Sequence, residues 1–184
     1  MIQRNGIRRN GIPENNGRIR PAATSRVPDR PLSILGLGVI GGVLALDQIT
    51  KAIAETHLAL GEPIDLLPIL TLNRVHNTGI AFSLLSGFGS LGLIVLTLAI
   101  TVIVIGFWQR ATDGGRLAAV GYALIIGGAL GNLIDRLAEG HVVDFLMLHF
   151  GERVLFVFNT ADVALTLGPV LLILAYLAPQ RAKA

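Results

Sequence analysis

The sequence contains no cysteine. That excludes disulfides, thiolate zinc sites, iron–sulfur clusters and a cysteine nucleophile, and it leaves the redox compartment open. Charge is also scarce, at 15% of the 184 residues. Soluble domains carry roughly 25%. Aromatic residues make up 5%, with a single tryptophan. None of them lies among the arginines of the first 30 positions, so a stacking surface for nucleic-acid bases is missing there. What is abundant is apolar: 52% of the residues, gathered in long blocks, with a mean hydropathy of +0.66. This composition points to a small protein that crosses a membrane several times.

A transmembrane helix takes about 20 mostly apolar residues. Four segments qualify, at about 32–54, 88–108, 117–134 and 160–177. Basic residues fix an orientation by the positive-inside rule. Eleven of the 15 fall in the N-terminal tail, the 109–116 loop and the C-terminal tail. Lys51, Arg74, Arg136 and Arg153 fall on the other side. Both termini are therefore expected in the cytoplasm. Residues 1–30 and 179–184 are expected as cytoplasmic tails, the first basic, disordered and suited to anionic lipid rather than nucleic acid, flanking a four-span domain at 31–178. Composition and partial alternation predict short outward strands at 69–75 and 153–158, and these suggest a small β-element resting on the membrane. A basic start before Ala52-Ile53-Ala54 also has the outline of a cleaved signal peptide, but Asp47 and Lys51 interrupt it.

Ionisable groups inside spans are costly, and each is by default a functional candidate. With this topology they gather near one interface: Asp47 and Lys51 on span one, Asn132, Asp135 and Arg136 on span three, and Asp162 at the start of span four. Asn77, Gly79 and Asp144 are assigned to the outer loops on the same side. Asp47, Thr50 and Lys51 share a helical face by their i, i+3, i+4 spacing, and Gly128, Asn132 and Asp135/Arg136 repeat the pattern. The pairs Gly38/Gly42 and Gly127/Gly131 read as close-packing devices between helices. Each polar residue also has a structural reading. Asp47–Lys51 is then an ion pair capping span one, Asp135–Arg136 pairs with loop backbone or lipid phosphate, and Asp162 complements the dipole of span four. A non-catalytic scaffold would pair Asp144 and Asp162 with Arg136 and Lys51. A transporter would set its acids near mid-membrane, which this pattern does not do.

Metal-protease spacing (His-Glu-x-x-His) is absent, and His57, His76, His141 and His149 have no ligand spacing. A Ser–Lys dyad of Lys51 with Ser83 or Ser86 has no supporting spacing. Two carboxylates sharing one proton remain, a pair able to hydrolyse a peptide bond without metal or cofactor.

Five segments carry a family resemblance: Asp47-Gln48-Ile49-Thr50-Lys51, Asn77-Thr78-Gly79-Ile80-Ala81-Phe82, the run from Gly127 to Arg136, Val142-Val143-Asp144-Phe145, and Phe158-Asn159-Thr160-Ala161-Asp162. In this order on a four-span chain, over about residues 35–178, they resemble bacterial lipoprotein signal peptidase, also called signal peptidase II. The resemblance sets aside the signal-peptide reading, because span one carries a family motif. It implies a multi-pass aspartic endopeptidase of the bacterial inner membrane with its site at the periplasmic face. Such enzymes cut prolipoproteins just before a diacylglyceryl-modified cysteine and are blocked by globomycin. It implies Asp144 and Asp162 as the catalytic pair. Asp47, Lys51, Asn77, Gly79, Gly128, Asn132, Arg136, Asn159 and Ala161 are implied at or near the site. No cofactor, metal or nucleic acid is expected, membrane lipid is, and the enzyme is expected as a monomer. The arginine-rich N-terminal tail departs from shorter members of the family.

Overall fold

The computed structural model describes residues 27–79 and 89–177. The tails expected at both ends (the first up to residue 26), Ile80-Ala81-Phe82 of the second motif, and Ser83 and Ser86 lie outside the described residues. Four helices form: α1 (Ile34–His57), α2 (Gly89–Arg110), α3 (Gly115–Glu139) and α4 (Thr160–Leu177). All four contain windows long and apolar enough to cross a membrane. Between them run β1 (Ile64–Leu67), β2 (Leu70–Asn77), β3 (Val142–Phe150) and β4 (Arg153–Phe158), an antiparallel sheet in the order β1-β2-β3-β4. The chain enters this sheet after α1 and again after α3, and the next helices in order are α2 and α4 respectively.

Helix α3 is the centre of the bundle. In its apolar window 67% of residues are buried, against 17% or less in each of the other three. Glycines let its neighbours come close. A β-carbon on Gly128 would stand 2.5 Å from the carbonyl of Ala161 on α4, and one on Gly131 would stand 2.5 Å from Asp47 Oδ2 on α1. Gly127 faces Val43 in the same tight way. The expected Gly38/Gly42 contact does not form: both face open space, with nothing within 4 Å of a built β-carbon. Spacing alone cannot tell a helix's packed stripe from its outer one.

Helix ends follow local chemistry. The Ser33 side chain caps α1 by accepting from Gly36 N–H at 3.0 Å. Helix α3 runs past the expected end at Ile134 because Asp135, Arg136 and Glu139 break only the apolar run. It stops at Gly140, whose φ of +76° suits glycine and whose N–H reaches the Arg136 carbonyl.

Two strands were not expected. β1 is exposed throughout, so it shows no alternation. β3 begins with four consecutive buried residues, Val142 to Phe145, because β2 flanks it and α1 and α3 contact it. Asp144 and Asn77 are therefore strand residues, not loop residues. Asp144 sits opposite Val75, and Asn77 opposite Val142.

Gly131→Ala should lose roughly 1–3 kcal/mol through overpacking against Asp47. Gly42→Ala should stay within about 0.5 kcal/mol of wild type. Thermal unfolding midpoints in detergent would check both.

Candidate active site

The site is built on the first turn of α4. Asn159 is its cap: Asn159 Oδ1 accepts from Asp162 N–H at 3.0 Å, and Asp162 Oδ2 accepts from Asn159 N–H at 3.1 Å. This reciprocal pair is a capping box, made with Asn and Asp in place of the usual Ser/Thr and Glu. It holds the Asp162 side chain against the start of its own helix. A third first-turn donor, Ala161 N–H, is taken by Asp47 Oδ1 of α1 at 2.9 Å. Asp47 is thus a cap, but of α4 and not of its own helix.

Lys51 stands one turn beyond Asp47. Its Nζ lies 2.8 Å from Asp47 Oδ2, 2.6 Å from Asp135 Oδ2 and 3.0 Å from Asn132 Oδ1. Gln48 Nε2 donates to Asp135 Oδ1 at 2.9 Å, and the hydroxyls of Thr50 and Thr160 meet at 2.8 Å. Asp47, Lys51, Asn132, Asp135, Asp144 and Asn159 are all between 0 and 8% exposed. Buried charges persist when they are paired and hydrogen-bonded, and the triad of Lys51 with Asp47 and Asp135 is both.

Asp144 enters from β3. Asn159 Nδ2 donates to its Oδ1 at 2.7 Å, and Asn77 Nδ2 donates to its Oδ2 at 2.8 Å. The Asn77 carboxamide is held by its own turn, its oxygen accepting Gly79 N–H at 2.9 Å. Gly79 has φ +109°, which explains glycine there. Asp162 Oδ1 accepts from Asn132 Nδ2 at 2.8 Å. Asn159 therefore donates to both acids, from its side-chain Nδ2 to Asp144 and from its backbone N–H to Asp162.

Among the described residues, neither Asp144 nor Asp162 forms a salt bridge, so the pairing with Arg136 and Lys51 that a scaffold would use is not there. Burial pushes the Asp144 carboxyl up to about 6, and the nearby charge of Asp162 adds to this. The hydrogen bonds from Asn77 and Asn159, and the charge of Lys51, oppose the rise. A cleft of about 240 Å³ lined by Val75, His76, Asn77, Thr78, Asp144 and Val157 borders the acid.

The structure brings together Asp47, Lys51, Asn77, Gly79, Asn132, Asp144, Asn159, Ala161 and Asp162, with Gly128 beneath them against the Ala161 carbonyl. Arg136 stands at the edge. Its Nη1 donates to the Asn132 carbonyl at 3.3 Å, and its buried Nε has no partner among the described residues. Asp135, expected with Arg136 to meet loop backbone or lipid phosphate, chiefly holds the side chains of Lys51 and Gln48. Sequence reasoning gave Gln48 no role: it lies off the Asp47/Lys51 face, and its polarity within a span was the only signal. The His76 and His141 rings meet at a tilt with centroids 4.0 Å apart, while His57 bonds Thr56 and His149 bonds Thr71. Among the described residues, no group of three or more His, Asp or Glu is placed to hold a metal ion.

A family model described as signal peptidase (SPase) II matches residues 39–178. The chain belongs to the signal peptidase II family. It is 43% identical over 135 residues to the lipoprotein signal peptidase of Mesorhizobium japonicum, covering 73% of this chain and 80% of that protein. It is 45% identical over 129 residues to that of Brucella ovis, covering 70% and 81%. Among solved structures, a bacterial membrane enzyme determined in meso at 1.9 Å superposes with a TM-score of 0.71 at 29% identity. That alignment covers 84% of this chain and 99% of the other. A second, at 2.3 Å, gives 0.69 at 29% identity over 80% and 93%. Membership makes this chain a protease and a multi-pass membrane protein, as its four apolar helices also indicate. All five motif segments fall inside the matched span.

Asp47→Ala should cost roughly 1–3 kcal/mol, since it removes a charged acceptor from Lys51 and the cap from Ala161. Asp113→Ala, at an exposed loop carboxylate, should stay within about 0.5 kcal/mol. Unfolding midpoints of the two variants in the same detergent would test this.

Proposed function

We propose that this chain is an aspartic endopeptidase of the bacterial inner membrane. It removes the signal peptide from diacylglyceryl-modified prolipoproteins by cutting before the lipidated cysteine. Similarity to lipoprotein signal peptidases supports signal-peptide removal from prolipoproteins. The observation that carries the aspartic mechanism is that Asn159 holds both acids, its Nδ2 donating to Asp144 Oδ1 and its backbone N–H to Asp162 Oδ2, with no cation bonded to either among the described residues.

Two neighbouring carboxylates cannot both ionise cheaply, so the pair keeps one proton. The ionised acid takes a proton from water as it attacks the scissile carbonyl. The protonated acid donates to the carbonyl oxygen. The roles then exchange, and a proton passes to the departing amine. Asn132 and Asn159 keep each carboxylate aimed while the proton moves, and Arg136 orients the substrate's main chain. The basic bias of the tails and the 109–116 loop supports cytoplasmic termini, and hence a site at the periplasmic face. A signal segment is an apolar helix, so its end would present the cleavage bond at that depth. A monomer suffices in this reading, because one chain supplies every group, and globomycin is expected to block it.

Asp144→Asn and Asp162→Asn should each lower cleavage of a diacylglyceryl precursor by on the order of 10³-fold or more while the protein still inserts. A gel-shift assay on that precursor reads the outcome, and full activity in both variants would remove the dyad. The pH profile gives a second test. Raised to about 6, the Asp144 carboxyl loses its proton as pH climbs past that value, so kcat/KM should fall on the alkaline side. The Asn77 hydrogen bond favours the ionised form. Asn77→Ala should therefore move that limb to higher pH.

A further inference from the structure

One donor sets the polarity of the amides around the two acids. An ammonium gives hydrogens and accepts none. Lys51 Nζ gives to Asp47 Oδ2, Asp135 Oδ2 and Asn132 Oδ1. The amide facing it must present its oxygen, so Asn132 Nδ2 is turned onto Asp162 Oδ1 at 2.8 Å. The same Asn132 oxygen receives Asn159 Nδ2 at 3.1 Å, and that nitrogen also reaches Asp144 Oδ1. Were Asn132 reversed, its oxygen would face the carboxylate of Asp162 and its nitrogen would face two other donors.

Asp135 has no part in the mechanism so far. It is 8% exposed, and three donors converge on it. Its Oδ2 holds Lys51, its Oδ1 accepts from Gln48, and Val143 N–H, one residue before Asp144, approaches Oδ2 at 3.5 Å. Asp47 alone would neutralise Lys51. A second carboxylate pins the ammonium between α1 and α3 and leaves the triad with one net negative charge, which opposes full ionisation of the neighbouring pair.

We propose that Asp135 is a positioning residue for cleavage: with Asp47 it clamps Lys51, whose ammonium turns the Asn132 amide N–H onto Asp162. The proposal rests on Asp144 and Asp162 being the dyad. It is tested by kcat and KM against pH on a diacylglyceryl precursor, for wild type, Asp135→Asn and the double variant Asp135→Asn/Lys51→Met, each with its thermal midpoint. Asp135→Asn should lower kcat by roughly 10–100-fold through lost alignment, with KM within about 2-fold. It removes a negative charge, so its alkaline limb should move to lower pH. The double variant removes one charge of each sign. Its limb should return toward wild type while kcat stays low, because nothing then turns Asn132.

A wild-type kcat and profile in Asp135→Asn would overturn the proposal. So would a loss of kcat that follows a lowered midpoint with the limb unmoved. If Asp135→Asn does not fold, Gln48→Leu takes its place, removing one of Asp135's two partners on α1, together with a 3.3 Å bond to Asp47, but no charge. It should lower kcat with KM and limb unchanged, and an unaffected kcat would overturn the idea. Failure of the dyad itself is separate, seen as retained activity in Asp144→Asn and Asp162→Asn whatever Asp135→Asn does.

Discussion

The N-terminus of α4 is the constraint on which the site depends. A helix start leaves backbone N–H groups without partners, and inside a membrane protein water cannot be counted on to take them. Here Asn159 takes the Asp162 N–H and Asp47 takes the Ala161 N–H. Each solution does a second thing. Capping by Asn159 leaves its Nδ2 free to donate to Asp144 and its backbone N–H to donate to Asp162. Capping by Asp47 draws α1 onto α4 and carries Lys51 to Asn132. Satisfying the helix end and assembling the site are one set of contacts.

Close helix approach makes those contacts reachable. Asp47 comes to α4 across Gly131, and Ala161 comes to α3 across Gly128. A side chain at either glycine would push the carboxylate or the helix start away. The glycine-rich stretch of α3 therefore belongs to the site's geometry, although none of its glycines bears a reactive group.

Much of this was legible in the sequence because apolar runs and helical spacing are local signals. The four spans, the strand at 153–158, and the shared face of Asp47, Thr50 and Lys51 appear in the structure close to where the sequence sets them. What was not legible depends on partners distant in the chain. β3 is buried at four successive positions, so alternation could not reveal it. Gly38/Gly42 and Gly127/Gly131 have the same spacing but opposite surroundings. That Asp47 would cap α4 and that Asp135 would hold Lys51 required knowing that α3 lies between α1 and α4 over most of its length.

The choice of amides over cations as neighbours of the two acids has a physical logic. A guanidinium or ammonium bonded directly to Asp144 or Asp162 would favour the ionised form and drive off the proton the pair is proposed to share. An amide N–H aims a carboxylate while biasing its charge much less. The buried ammonium of Lys51 is held a step back, bonded to two other carboxylates and to the oxygen of Asn132. It orients that amide, and its charge tempers the rise that burial imposes on Asp144. The arrangement separates two tasks that a direct ion pair would merge: fixing where each carboxylate points, and leaving its proton free to move.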